Sequence, residues 1–117
     1  MKLYFYINNF KDNKGIEMEE CEVRETATRY YPINNFPKGF CNYHAYVNKS
    51  DIGIVISHWA QNAVIIKEPD FELAKRLFIE QMEKEIEAEK DEIEKLKEKI
   101  KEKENNIKII EESEENK

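Results

Sequence analysis

Two hydrophobic periods divide the chain. Up to residue 69, apolar and polar residues alternate over short runs. From Asp70 onward an isoleucine returns at every seventh position: Ile79, Ile86, Ile93, Ile100 and Ile107. Alternation gives an extended strand one dry and one wet face. A seven-residue return draws an apolar seam along a helix, and such a seam winds around a partner. Met82, Leu96 and Ile110 follow three residues after their isoleucines, so they take the d positions when the isoleucines take a.

Residues 3–10 are aromatic and β-branched, a composition that fits a strand. Asp12-Asn13-Lys14-Gly15 is turn chemistry, with Gly15 free to adopt positive φ. A second extended run covers 17–31, and the two runs are expected to pair as a hairpin. Within it Cys21, Val23, Ala27, Arg29 and Tyr31 fall on one side; Glu20, Glu22, Arg24, Thr26 and Thr28 fall on the other. Residues 32–42 read as a loop, with Pro37 and Gly39 placed for a turn. Tyr43, Ala45 and Val47 alternate with His44 and Tyr46. Residues 54–56 and 63–66 read as two buried strands. The expectation is an antiparallel meander of about five strands.

Pro69 stops the last strand, and Asp70 is suited to cap a helix by accepting from amides two or three residues on. Glu72 complements the positive end of the helix dipole. Phe71, Leu73, Ala74, Leu77 and Phe78 make an apolar face wider than a coiled-coil seam, so 70–82 should pack on the sheet. Beyond Ile79 only the seam remains. The helix is expected to leave a head of residues 1–69 and run on as an oligomerisation stalk over 79–110, with a frayed tail at 111–117. If helical to residue 112, it is about 60 Å long. The fold class is α+β: a small antiparallel sheet, then one long C-terminal helix in a coiled coil or bundle. Glu89 and Lys103 interrupt the seam at d, which weakens it and restricts its register.

Charge sharpens this division. Residues 1–69 carry 8 Lys+Arg and 8 Asp+Glu, whereas 70–117 carry 11 against 17, so the net charge of −6 lies wholly on the helix. A neutral head and an acidic helix offer no basic stripe for phosphate contacts, so direct nucleic-acid binding is not expected. Two cysteines, Cys21 and Cys41, without CxxC spacing, suggest reduced thiols rather than a disulfide framework or a zinc site. The apolar start is too short for a signal peptide, and no run approaches a membrane span. A soluble cytoplasmic protein is expected.

No pattern identifies a reaction. His44 and His58 are the only histidines, and neither has a Cys, Asp or Glu at ligand spacing. Nucleophile-elbow, P-loop and GxGxxG signatures do not occur, and 3 Gly leave little for a phosphate-cradling loop. The reading is a non-enzymatic protein with neither cofactor nor metal. The richest segment is 24–31, which holds two of the three arginines. Guanidinium groups suit bidentate recognition of phosphate or carboxylate. Arg24, Thr26, Thr28, Arg29 and Tyr31 are the candidate ligand-binding residues, with Trp59 and Tyr46, His44 or Tyr43 as aromatic faces. The alternative is that Arg24 and Arg29 pair with Glu22 and Glu25, leaving no site.

The segment Val23-Arg24-Glu25-Thr26-Ala27-Thr28-Arg29-Tyr30, the Ile-rich hairpin and the helix opening Asp70 to Phe78 together resemble small phage and prophage proteins of low-GC Gram-positive bacteria. Within that group the chain is similar to the Thoeris-inhibiting sponge family. The resemblance implies an oligomer that sequesters cyclic ADP-ribose-type signals in the host cytoplasm, with arginines on the phosphates and aromatics on the base. It puts Arg24 or Arg29 and Arg76 in the first role and Trp59 in the second. Two other readings stay open: a protein–protein inhibitor of a defence nuclease, of the anti-CRISPR kind, and a phage structural or assembly protein.

Overall fold

The computed structural model describes residues 1–42 and 44–115. Six strands, β1 (Lys2–Asn8), β2 (Ile16–Glu25), β3 (Arg29–Pro32), β4 (Val47–Asn48), β5 (Ile56–Ser57) and β6 (Asn62–Ile66), precede one helix, α1 (Phe71–Glu112). They form a curled antiparallel sheet in the order β4-β3-β2-β1-β6-β5. The α+β class read from the two periods is therefore what the chain adopts. Residues Met1–Gln81 make one compact unit and a second begins at Met82.

The expected first hairpin forms, with Leu3 opposite Cys21 and Tyr6 opposite Met18. Its turn places Asn13 at φ 52 and Gly15 at φ 80, left-handed conformations that these residue types tolerate. Pairing of β1 with β6, Phe5 opposite Ile65, builds the centre of the sheet.

Both faces of that centre are dry. Leu3, Phe5, Ile7, Ala63 and Ile65 join Cys21, Val23, Tyr30, Phe40 and Val47 in one core, with Phe36 packed at its margin. Phe5 meets Phe40 edge-on at 4.9 Å between ring centroids, a favoured arrangement of ring quadrupoles. On the other face Tyr6, Val64 and Ile66 pack with Ala74 and Phe78 from the first turns of α1. Hence β6 is buried along its whole length, whereas β2 buries only Cys21 and Val23. A strand covered on both faces reads as a continuous apolar run, and a half-covered one alternates. Each large side chain buried this completely contributes about 1.5–3 kcal/mol.

Asp70 caps α1 as expected: its Oδ1 accepts from the Leu73 amide at 3.0 Å. Ala74 and Phe78 are buried and Leu73 and Leu77 half-buried, but Phe71 stays 49% exposed.

Three strand expectations are corrected. The run 17–31 is two strands, not one. Thr26 turns it: its amide donates to the Arg29 carbonyl at 2.8 Å, and its Oγ1 accepts from the Arg29 amide at 3.0 Å. This is the local competition of a hydroxyl with a strand ladder. The run expected at 43–47 reduces to Val47–Asn48, because Asn42 takes up its backbone groups. The Asn42 Nδ2 donates to the Tyr46 carbonyl at 3.2 Å and its Oδ1 accepts from the His44 amide at 3.3 Å. The buried strand expected at 54–56 reduces to Ile56–Ser57, half-buried and exposed in turn; Ile54, 57% exposed, closes a turn with its amide on the Asp51 carbonyl.

The loop between β3 and β4 is held by a buried amide. The Gln61 Nε2 donates to Asn9 Oδ1 at 2.8 Å and to the Gly39 carbonyl, while its Oε1 accepts from the Cys41 amide at 3.0 Å. One side chain thus ties the end of β1, the long loop and the β5–β6 turn together.

Candidate functional site

The Thr26 turn determines which residues share the outer face of β2 and β3. Arg24 lies directly opposite Tyr31, while Tyr30, opposite Glu25, turns into the core. Arg29 is two residues before Tyr31 and shares its face. The expected grouping of Arg29 and Tyr31 with Cys21 and Val23 is therefore overturned: a reversal of direction at Thr26 replaces simple alternation. Arg24 and Arg29, assigned to opposite sides by alternation, come onto one surface.

There they interleave with aromatic rings. The Arg24 Cζ sits 4.9 Å from the Tyr31 ring centroid and the Arg29 Cζ 3.8 Å from that of Tyr46. Arg29 Nη1 donates to the Tyr31 hydroxyl at 3.4 Å. The Tyr31 and Tyr46 rings are 5.9 Å apart, and His44 stacks on Tyr46 at 5.3 Å with 23° between planes. The result is a ladder, Arg24–Tyr31–Arg29–Tyr46–His44, of alternating cations and π faces. Cation–π contacts hold a guanidinium flat on a ring while leaving its N–H edge directed outward.

Neighbouring carboxylates are engaged elsewhere. Glu25 meets Lys49 at 2.6 Å, Glu22 meets the N-terminal amine at 3.3 Å, and Glu20 meets Lys2 at 3.1 Å. Among the described residues no carboxylate forms an ion pair with Arg24 or Arg29, so the alternative of pairing with Glu22 and Glu25 is not the arrangement adopted. The hydrogen bond from Lys49, and then its charge, hold the Glu25 carboxyl below its ordinary pKa. Its partner Glu20 raises the Lys2 ammonium. The hydrogen bond to the Tyr31 hydroxyl raises Arg29 above its already high value, so its guanidinium stays charged. Burial pushes the Cys21 thiol up, which leaves it a poor nucleophile.

Other expected site residues lie apart. The Thr26 hydroxyl also donates to the Arg29 carbonyl at 3.1 Å, so it serves the turn and not a ligand. Thr28 is exposed, and its carbonyl accepts from the Lys49 amide where β3 meets β4. Trp59, 76% exposed, sits in the turn after β5, at the sheet edge opposite β4, with Lys11 Nζ 4.3 Å from its ring. Arg76 lies two residues from both Ala74 and Phe78, so it points away from the face that packs on the sheet; its Nε reaches Glu80 Oε1 at 3.8 Å. Trp59 and Arg76 are thus not brought to the ladder. Tyr43 lies outside the described residues.

Alternation presents Tyr46 and His44 only as aromatic faces and does not foretell His44 stacked on Tyr46 or Arg29 over the Tyr46 ring. The available signal was the Asn42 side chain, whose spacing to His44 and Tyr46 suits a local turn rather than a strand.

Along α1, Ile86, Ile93, Leu96, Ile100 and Ile107 are about half exposed, and Ile110 is 71% exposed. Met82 is half-buried. Among the described residues no helix is long and apolar enough to cross a membrane. Compared with protein-family models, curated proteins and solved structures, the chain matches none.

Proposed function

We propose that this protein is a non-enzymatic, oligomeric binding protein whose arginine–tyrosine ladder takes up an anionic, nucleotide-like ligand. In the biological setting suggested by its resemblance to phage anti-defence proteins, it is a sponge that withdraws a nucleotide-derived immune signal in the host cytoplasm. The observation that carries the reading is two guanidinium groups laid on tyrosine rings with their nearby carboxylates engaged by other cations. Such groups offer charge-assisted, fork-shaped donors to phosphate oxygens, and the Tyr46–His44 stack offers a π surface to a base. The half-exposed heptad seam supports multivalence, since several copies of a modest site hold a ligand pool better than one.

Isothermal titration with cyclic ADP-ribose isomers and cyclic dinucleotides tests the reading. Binding by the wild type is expected, with affinity reduced about tenfold or more by Arg29→Gln, as befits removal of a charged hydrogen-bond donor. Absence of heat with every compound overturns it and turns attention to a protein target of the anti-CRISPR kind or to an assembly role.

A further inference from the structure

The seam residues of the second compact unit repeat every seven positions and stand about half exposed, so they need an occupant. The charges that flank them say which one. With the isoleucines at a, the charged g positions are Glu85, Glu92 and Lys99, and the e positions five residues later are Lys90, Lys97 and Glu104; the last g position is the uncharged Asn106. In a parallel, in-register pair each g residue meets the e residue of the following heptad on the other helix. All three contacts are then of opposite sign: Glu85 with Lys90, Glu92 with Lys97, and Lys99 with Glu104.

The two charges inside the seam are the cost of this alignment, because in register each faces its own copy, Glu89 against Glu89 and Lys103 against Lys103. A d side chain in a parallel pair lies beside the e residue of the facing helix. Glu89 therefore lies beside Lys90 of the second copy, and Lys103 beside Glu104 of the second copy. These e neighbours of opposite sign offset the like-charge contact at each d position. A slip of one heptad would set Glu92 on Glu104 and Lys99 on Lys97. An antiparallel pair matches e with e and g with g, and the e series Glu83, Lys90, Lys97, Glu104 paired with itself in reverse sets like charges together. Within a single helix Lys90 pairs with Glu87 at 3.6 Å and Lys97 with Glu94 at 3.5 Å, exposed pairs of the kind that contribute little in water.

We infer that the partner of this helix is a second copy of the same chain, parallel and in register, selected by the e–g charges. The inference builds on the oligomer of the proposed function and specifies its alignment; a ladder that binds no nucleotide would leave it intact. Isoleucine at a suits two strands, and charged d residues reach water more readily in a dimer than in a larger bundle.

The test uses the full chain with Cys41→Ser and a spin label on Lys108→Cys, the buried Cys21 remaining unlabelled. Parallel pairing predicts a label separation within about 30 Å. Antiparallel overlap of the same seam would separate the labels by about 40 Å, at the helical rise per residue. That longer distance, or a monomer at the labelling concentration, overturns the inference. In a second arm Lys90→Glu with Lys97→Glu should weaken the dimer at least tenfold by sedimentation. Adding Glu85→Lys and Glu92→Lys should restore it, since the crossed pairs are again of opposite sign. Failure of the restoring pair, with the helix still formed by circular dichroism, counts against charge selection.

Discussion

Single residues account for both the firmness of the head and its exposed chemistry. Tyr30 is fully buried, yet its hydroxyl finds no hydrogen-bond partner among the described residues. A buried polar group left unpaired costs about 1–3 kcal/mol. Tyr30→Phe is therefore expected to raise stability by about 1 kcal/mol in urea denaturation, with no change in the slope. A loss of stability would mean that the hydroxyl is satisfied. The same strand shows how narrowly the site depends on one residue. Tyr30 and Tyr31 are adjacent, and the turn at Thr26 sends the first inward and the second outward to Arg24. Moving that turn by one residue would exchange them, burying the ladder's tyrosine and exposing the core's.

At the scale of elements, sequence reading succeeds where a long periodic signal has no local competitor. The 42-residue α1, its Asp70 cap and its apolar first turns follow from spacing and capping chemistry. The β1–β2 hairpin follows from alternation around a glycine-containing turn. Two of the three failures share a cause, short side chains at Thr26 and Asn42 bonding to the backbone and ending strands that hydrophobic pattern alone would continue; the third, at Ile54, is a backbone turn onto Asp51. Since the turns at Thr26 and Asn42 carry Arg29, Tyr46 and His44, the candidate site was legible as an arginine–tyrosine composition but not as a surface. Gln61 was invisible for a similar reason, because a lone polar residue beside a buried strand does not announce three distant partners. Gln61→Leu keeps the volume but strands Asn9 Oδ1, the Gly39 carbonyl and the Cys41 amide. A loss of about 3 kcal/mol is expected by urea denaturation. A change under 1 kcal/mol would show that the loop does not rely on this amide.

For the whole molecule, the division of labour follows the charge. The neutral head has two dry faces around β1 and β6 and carries Arg24 and Arg29 on the wet outer face of β2 and β3. Beyond the first turns that pack on the sheet, the acidic helix carries an apolar seam that stands about half exposed. Each part is incomplete in a different sense: the ladder presents guanidinium groups that no carboxylate pairs among the described residues, and the seam presents hydrocarbon to water. One kind of ligand and one kind of partner would satisfy them, a phosphate-bearing nucleotide and another copy of the chain.

Native mass spectrometry with a cyclic ADP-ribose isomer or cyclic dinucleotide in excess tests both at once. The account predicts a dimer that carries the nucleotide in proportion to its two chains and sheds it in the Arg29→Gln variant. A monomer, or a dimer that remains bare with every compound at millimolar concentration, would contradict it.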